Sequence, residues 1–410
     1  MTQDLTQMTA AHLGRLYAKG KASPVEAIKA VLARTKKINP ILNAFCRVDA
    51  EAALAAARAS ERRWKKGKAL SAIDGVAVSI KELVRVKGWP ASMGSKLTDK
   101  TPSDADAPAV ARLREAGAIV FAQSTSSEFG HKGVTDTPLH GVTRNPWNPA
   151  MTPGGSSGGA GAAVAAGLGP LAIGTDGGGS VRIPSSFNGL IGLKATYGRV
   201  PNWPPTLNGD FSNTGPMCRT AQDCALMMNA IARPDPRDPT QLPADDTDYV
   251  KALKRKPKKP RIAFLLRMSE HPLDIEVAAM VTKAARQVEK LGCKVEEIDA
   301  PPFPHGDAGK SFGNAITVDD GNPQGRIDVA TLSNGGAVVS WIERSNQRNE
   351  VRVRRIPASG TADPAVTISG TANAQPGSVP RIERVGNDLF VAWTLSGDQP
   401  AVRTAVINLQ

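Results

Sequence analysis

The stretch PGGSSGGAGAAVAAGLGPLAIGTDGGGSVRIPSS, residues 153–186, decides the reading of this chain. Eleven of the chain's 39 glycines fall between Gly154 and Gly179, in the clusters Gly154-Gly-Ser-Ser-Gly-Gly159 and Gly177-Gly-Gly-Ser180. Glycine at such density costs conformational entropy, so it is kept where backbone turns sharply or approaches something closely. The segment Ala160-Gly-Ala-Ala-Val-Ala-Ala-Gly167 between the clusters suits a helix packed tightly on all sides. Two serine-bearing loops against one buried helix predict a catalytic site.

Working outward, the β-rich run Gly75-Val-Ala-Val-Ser-Ile-Lys81 ends on a lysine. A serine hydroxyl is a poor nucleophile until a base takes its proton. The five histidines (His12, His131, His140, His271 and His305) stand in no evident acid–histidine context. A lysine kept neutral by desolvation can serve instead, and Lys81 is the best-placed candidate. The Gly177–Ser180 turn offers successive backbone N–H groups for an oxyanion hole, while Asp176 and Arg182 flank it and are expected to pair and brace it. Gly154-Gly-Ser156-Ser-Gly158 also satisfies the GxSxG elbow of α/β-hydrolases. That reading needs a strand before the serine, but three prolines lie between residues 145 and 153.

The alternation of elements predicts an α/β fold with a central sheet. Helices are expected from residue 8 to about 66, the second starting at Ser23-Pro24 and ending at Asn39-Pro40. A helix at Ala107–Gly117 precedes a strand at Ala118–Gln123, and strand, helix and strand follow at Arg261–Leu266, Ile275–Leu291 and Lys294–Ile298. The last lysine is Lys310, and residues 311–410 hold nine arginines against nine acidic residues, so the net charge of +13 lies entirely before them. That shift places a boundary near 310. The tail reads as short strands and repeats itself: Val339-Ser-Trp341-Ile matches Val391-Ala-Trp393-Thr, and Val351-Arg352-Val matches Val402-Arg403-Thr. A period near 50 of all-β character predicts two propeller-like blades.

The densest basic run, Lys251–Arg261, has no aromatic residues interleaved to stack bases, so no nucleic-acid partner is expected. The four cysteines, Cys46, Cys218, Cys224 and Cys293, are scattered and read as reduced, buried thiols, with neither a zinc site nor a disulfide framework. No run approaches the roughly 18 apolar residues of a membrane span. A cytoplasmic protein without metal or cofactor is expected, and a homodimer is compatible with it.

Gly75–Lys81, Pro153–Gly159 and Gly174-Thr-Asp-Gly-Gly-Gly-Ser-Val-Arg-Ile-Pro184 resemble the three motifs of the amidase signature family. Lys81 and Ser156 are 75 residues apart, and Ser156 and Ser180 are 24 apart, which fits as well. The resemblance spans about residues 5–305 and includes Asn188–Val200. It implies an amidase signature domain over 1–309 with a mixed central sheet flanked by helices, and a small-molecule amide as substrate. It also implies roles: Ser180 attacks the carbonyl, Ser156, preceded by a cis peptide bond, relays the proton, and Lys81 is the base. Backbone N–H groups of Gly177, Gly178, Gly179 and Ser180 would hold the oxyanion, and Ser157 would support the loop. Glu82 departs from the aspartate often found there. Family members continue past the Lys294–Ile298 strand, whereas here a tail, 310–410, follows that resembles bacterial sialidase-like propeller proteins. The alternatives are the A subunit of a tRNA-dependent amidotransferase and an inactive fusion or truncation product.

Overall fold

The computed structural model describes residues 4–205, 209–244, 246–255, 260–267, 273–298, 328–332, 334–345, 348–359, 361–369, 380–385, 388–395 and 401–408. By their internal contacts the residues fall into two units, Met1–Lys256 and Pro257–Gln410. The compositional boundary expected near 310, with Lys310 and His305, lies outside the described residues, as does His271.

In the first unit the helices are α1 (Ala10–Ala18), α2 (Pro24–Leu42), α3 (Ala50–Lys65), α4 (Pro108–Glu115), α5 (Gly158–Ala165), α6 (Arg182–Asn188), α7 (Ala221–Ile231) and α8 (Tyr249–Ala252). The strands are β1 (Phe45–Val48), β2 (Ala77–Lys81), β3 (Ile119–Ser124), β4 (Asp136–Thr137), β5 (Gly141–Val142), β6 (Leu171–Asp176), β7 (Ile191–Gly192) and β8 (Asn213–Cys218). Six of them form one sheet in the order β1-β3-β2-β6-β8-β7, and β4 and β5 pair apart from it. The three central strands β3, β2 and β6 run parallel, while β1, β8 and β7 join antiparallel, so the sheet is mixed. Strands β2 and β3 are buried along their whole length, which is why both are mainly apolar with no polar face, their polar residues falling at Ser79, Lys81, Gln123 and Ser124.

Local rules explain most of the helix ends. Ser23 and Glu26 form a reciprocal capping box at the start of α2. Asp223 on α7 accepts the N–H groups of Ala10 (3.1 Å) and Ala11 (2.9 Å), capping α1 from a distant part of the chain. The adjacent Arg219 donates to the carbonyls of Val164 and Met8 and ties the N-terminal segment to α5.

One expected helix end is corrected here. Helix α2 passes through Pro40 and ends at Asn43, whose φ of 52° and N–H bond to the Asn39 carbonyl close it. The Asn39 side chain accepts the N–H groups of Ala44 and Phe45, steering the chain into β1. Strand β8 forms although Gly215 and Pro216 within it speak against a strand. Gly215 lies so close to the Leu193 carbonyl that an added Cβ would stand 2.1 Å from its oxygen, and this approach requires glycine. Cys218 and Cys224 are buried, whereas Cys46 and Cys293 are half-buried.

In the second unit, parallel strands β9 (Arg261–Phe264) and β10 (Lys294–Glu297) are joined through helix α9 (Ile275–Lys290). Then follow β11 (Asp328–Thr331), β12 (Ala337–Ser345), β13 (Arg348–Ile356) and β14 (Val366–Ser369) as one antiparallel sheet. Strands β15 (Arg381–Val385), β16 (Asp388–Leu395) and β17 (Ala401–Asn408) form another. Ile342, Val351, Leu389 and Val391 share one core between them. The sequence repeat has a structural counterpart, since Trp341 stands opposite Arg352 and Trp393 opposite Arg403 in the same hairpin position. Among the described residues the strands form two small separate sheets and no closed ring, so a propeller is not shown. No described helix is long and apolar enough to cross a membrane.

Candidate active site

Lys81 closes β2 at the centre of the sheet, with neighbours β3 and β6 on either side. Its side chain is fully buried. The amine donates to Ser156 Oγ at 2.7 Å and to Thr175 Oγ1 at 2.8 Å. Burial disfavours the ammonium and pushes the Lys81 pKa down to about 7, against the opposing pull of the Glu82 and Asp176 charges. A lysine near pH 7 can take and return a proton, which an ordinary surface lysine cannot.

Ser156 sits in coil before α5, and the Gly155–Ser156 peptide bond is cis. Gly155 is packed so closely that a Cβ would stand 2.6 Å from the backbone nitrogen of Val134. Helix α5 follows, and Gly159 within it lies 2.5 Å from the Ala44 carbonyl oxygen measured from where a Cβ would be. Small residues therefore let the serine-bearing segment sink against β1 and β3. Ser157 is fully buried; its hydroxyl bridges the N–H and carbonyl of Thr175 (3.3 Å each), and its N–H donates to the Ser180 carbonyl (3.3 Å).

The Ser180 turn is organised by Asp176 at the end of β6. That carboxylate accepts from Gly179 N–H at 2.8 Å, from Val181 and Arg182 N–H, and from the Arg182 guanidinium in a two-pronged pair at 2.9 Å. Burial alone would raise the Asp176 pKa, but these donors hold it below the usual carboxylate range. One expected role changes as a result. Gly179 N–H is engaged by Asp176 and is not presented to a ligand, whereas the N–H groups of Gly177, Gly178 and Ser180 donate to nothing among the described residues. Gly179 has a φ of +124°, which favours glycine whatever the ligand.

Two groups escape a reading of the sequence. Thr175 lies inside the third motif with no role that its position announces, yet its hydroxyl holds the second N–H of Lys81. The other is a histidine–acid pair: His140 Nε2 lies 2.8 Å from Glu82 Oε2, although the residues are 58 apart in sequence. No local signal marks a pair built from a strand end and a loop. Glu82 is fully buried and also accepts from Ser92 Oγ (2.6 Å) and from the N–H and hydroxyl of Ser126 (2.9 and 3.0 Å). Burial raises its pKa, but the bonds from His140, Ser92 and Ser126 outweigh this and keep it ionised. Cys46 completes a trio whose ligand-type atoms lie within 4.8 Å. Both Glu82 oxygens are already satisfied by hydrogen bonds, the Cys46 thiol donates to the Gln123 carbonyl, and burial pushes that thiol up, so the three groups do not make a ready metal cradle.

Ser156, Thr175, Gly177 and Ser180 all line a cavity of about 280 Å³. Val84, Met93, Phe129 and Trp203 line the same cavity. The cavity thus places two serines, a loop of unengaged N–H groups and mainly apolar walls around one space.

The chain is similar to known proteins. The family model "Amidase" matches residues 26–356. The chain is 39% identical over 294 residues to the A subunit of a glutamyl-tRNA(Gln) amidotransferase of Methylococcus capsulatus, covering 72% of this chain and 60% of the relative. It is 38% identical over 303 residues to an "Indoleacetamide hydrolase" of Bradyrhizobium diazoefficiens, covering 72% and 57%. Among solved structures, 6-aminohexanoate cyclic dimer hydrolase complexed with substrate matches with a TM-score of 0.65 and 32% identity, over 72% of this chain and 61% of that one. The chain thus spans about 60% of the length of the relatives it matches. On its motifs, its mixed sheet and these matches, the chain belongs to the amidase family.

Proposed function

We propose that this chain hydrolyses a carboxamide C–N bond through an acyl-enzyme on Ser180. The observation that carries the reading is the 2.7 Å bond between a fully buried lysine and Ser156, with a second serine, Ser180, lining the same cavity. Ser180 Oγ attacks the carbonyl carbon, its proton passes to Ser156 Oγ, and the Ser156 proton passes to the neutral Lys81 amine. Thr175 engages one N–H of that amine, which helps turn the lone pair toward Ser156. The oxyanion takes the N–H groups of Gly177, Gly178 and Ser180. The C–N bond then breaks as the Lys81 proton returns through Ser156 to the departing nitrogen. Water attacks the ester by the same route, releasing the carboxylic acid and restoring Ser180. Ser157, Asp176 and Arg182 hold the loop in shape.

The test is covalent labelling with a fluorophosphonate, followed by mass mapping. Label on Ser180, abolished in Ser180→Ala together with ammonia release from amides, is expected. Absence of label on Ser180 would mean that the site does not assemble, as in an inactive fusion product. A second reading, the A subunit of a tRNA-dependent amidotransferase, draws on the 39% identity to such a protein. It predicts co-purification with partner proteins of that complex, where the amidase reading predicts turnover by the chain alone. For the domain organisation we propose an amidase domain over 1–309 and a tail, 310–410, of blade-like repeats. The shared Trp–Arg register of the two hairpins supports that reading of the tail.

A further inference from the structure

Part of the lining that shares the cavity with Ser180 is built with more care than a generic apolar pocket requires. Met93 and Phe129 both have a φ of 50°, a left-handed conformation uncommon for residues other than glycine. They are bonded to each other, Phe129 N–H donating to the Met93 carbonyl at 2.8 Å, and both line the cavity. Backbone kept in a sparsely populated region clusters at ligand clamps, where the surrounding structure enforces it. Here it delivers two apolar side chains to one space.

The third side chain is Trp203. The Arg237 guanidinium lies 4.8 Å from its ring centroid. That guanidinium is itself fixed by a two-pronged pair with Asp235 (2.8 and 2.7 Å) and by a bond to the Asp106 carbonyl. Arg85 approaches the same ring at 5.9 Å. A tryptophan steadied in this way loses little freedom when a second ring packs on it, so it is preorganised for aromatic contact.

Charge completes the picture. Among the described residues lining the cavity there is no aspartate or glutamate, and the one charged lining side chain is Arg85. Its own ion pair is loose, 3.9 Å to the highly exposed Asp104. An ammonium entering this cavity would give up its water for apolar walls and a like charge, with no carboxylate among the described lining residues to receive it. At about 280 Å³ the space also lies at the small end of ligand pockets.

We propose that Met93, Phe129 and Trp203 form an apolar clamp that selects a small, uncharged carboxamide carrying a flat ring, and that α-ammonium amides such as glutamine are rejected. The proposal rests on the acyl-transfer reading of Ser180, and it deepens that reading by naming the substrate class.

Binding is measured on the full chain carrying Ser180→Ala, so that turnover plays no part. Phenylacetamide, acetamide and L-glutamine are titrated by ligand-observed NMR. Phenylacetamide is expected to bind at least tenfold more tightly than either of the others. Adding Trp203→Ala, or separately Met93→Ala, is expected to weaken phenylacetamide at least tenfold while leaving acetamide within threefold. Glutamine binding as tightly as phenylacetamide, or phenylacetamide binding unchanged in both clamp variants, would overturn the clamp. Fluorophosphonate labelling of the parent chain is scored separately: a labelled Ser180 with the wrong preference refutes the clamp alone, and tight ring-selective binding without label refutes the acyl-transfer reading alone. Circular dichroism of the clamp variants distinguishes lost binding from lost fold, and the clamp is also refuted if folded variants keep the parent preference.

Discussion

Lys81 shows how one residue's environment becomes a measurable pH dependence. In the proposed relay the neutral amine is the reactive form, and burial brings its pKa to about 7. As pH rises through that value the amine loses its proton, so kcat/KM for an amide should climb along an acid limb centred near pH 7. Glu82 opposes the burial effect because a nearby negative charge favours the ammonium. Glu82→Gln removes that charge while keeping the shape, so the limb should move to lower pH. A limb that stays in place, or moves to higher pH, would show that Glu82 does not act on Lys81. Lys81→Met should lower kcat by a factor on the order of 10²–10⁴, the usual worth of a general base. At this scale the sequence discloses the residues whose chemistry is announced by nearby glycine and serine. Lys81, Ser156 and Ser180 are legible because each sits in a short motif. The Glu82–His140 pair and the Thr175 bond to Lys81 are not, because partnership across the fold leaves no local spacing.

Among the elements, the turn from β6 into α6 is held by a single carboxylate, and the two ends of its ion pair should contribute unequally. Arg182 has a side chain 53% exposed, so truncating it loses a solvent-screened contact. Asp176 is fully buried and accepts three backbone N–H groups as well. We expect Arg182→Ala to cost less than about 1 kcal/mol of unfolding free energy. Asp176→Ala should cost about 2 kcal/mol or more, because buried donors are left without partners. Urea denaturation of the two variants checks the order, and equal losses would contradict it. The bracing role expected of this pair from the sequence follows from two opposite charges flanking a glycine turn. The end of α2 and the existence of β8 are harder to foresee. Proline normally stops a helix and disfavours a strand, yet Pro40 lies within α2 and Pro216 within β8. In both cases tertiary packing overrides the local preference.

For the molecule as a whole, the α/β class and the mixed sheet are readable from alternation and from the three motifs. The tail is readable only as short repeated strands, since hydrophobic alternation specifies a hairpin but not how hairpins assemble. Strand β7 pairs with β8 and has no second neighbour among the described strands, and Phe187, Ile191 and Leu193 beside it are exposed. An uncovered edge with apolar side chains invites association. With the chain spanning about 60% of its relatives, we expect that replacing residues 310–410 by the C-terminal part of a related amidase will raise both soluble yield and amide turnover. Full activity after simple deletion of 310–410 would show instead that no such part is needed.

Helix α5 carries a last consequence, for cooperativity. Its eight residues are three glycines, four alanines and one valine. Glycine and alanine have no rotamers to lose, and valine few, so ordering this helix costs almost nothing in side-chain entropy. The backbone cost is the reverse: glycine loses more freedom on folding than any other residue, and a segment this short is not helical alone in water. The helix therefore exists only while its neighbours press on it from all sides, and nothing within it can half-form. Amide hydrogens from Gly159 to Ala165 should exchange through the same global opening event as those of β2 and β6, with no separate, shallower step. Ser156, just before the head of that helix, is then either fully in register with Lys81 or displaced with the whole sheet.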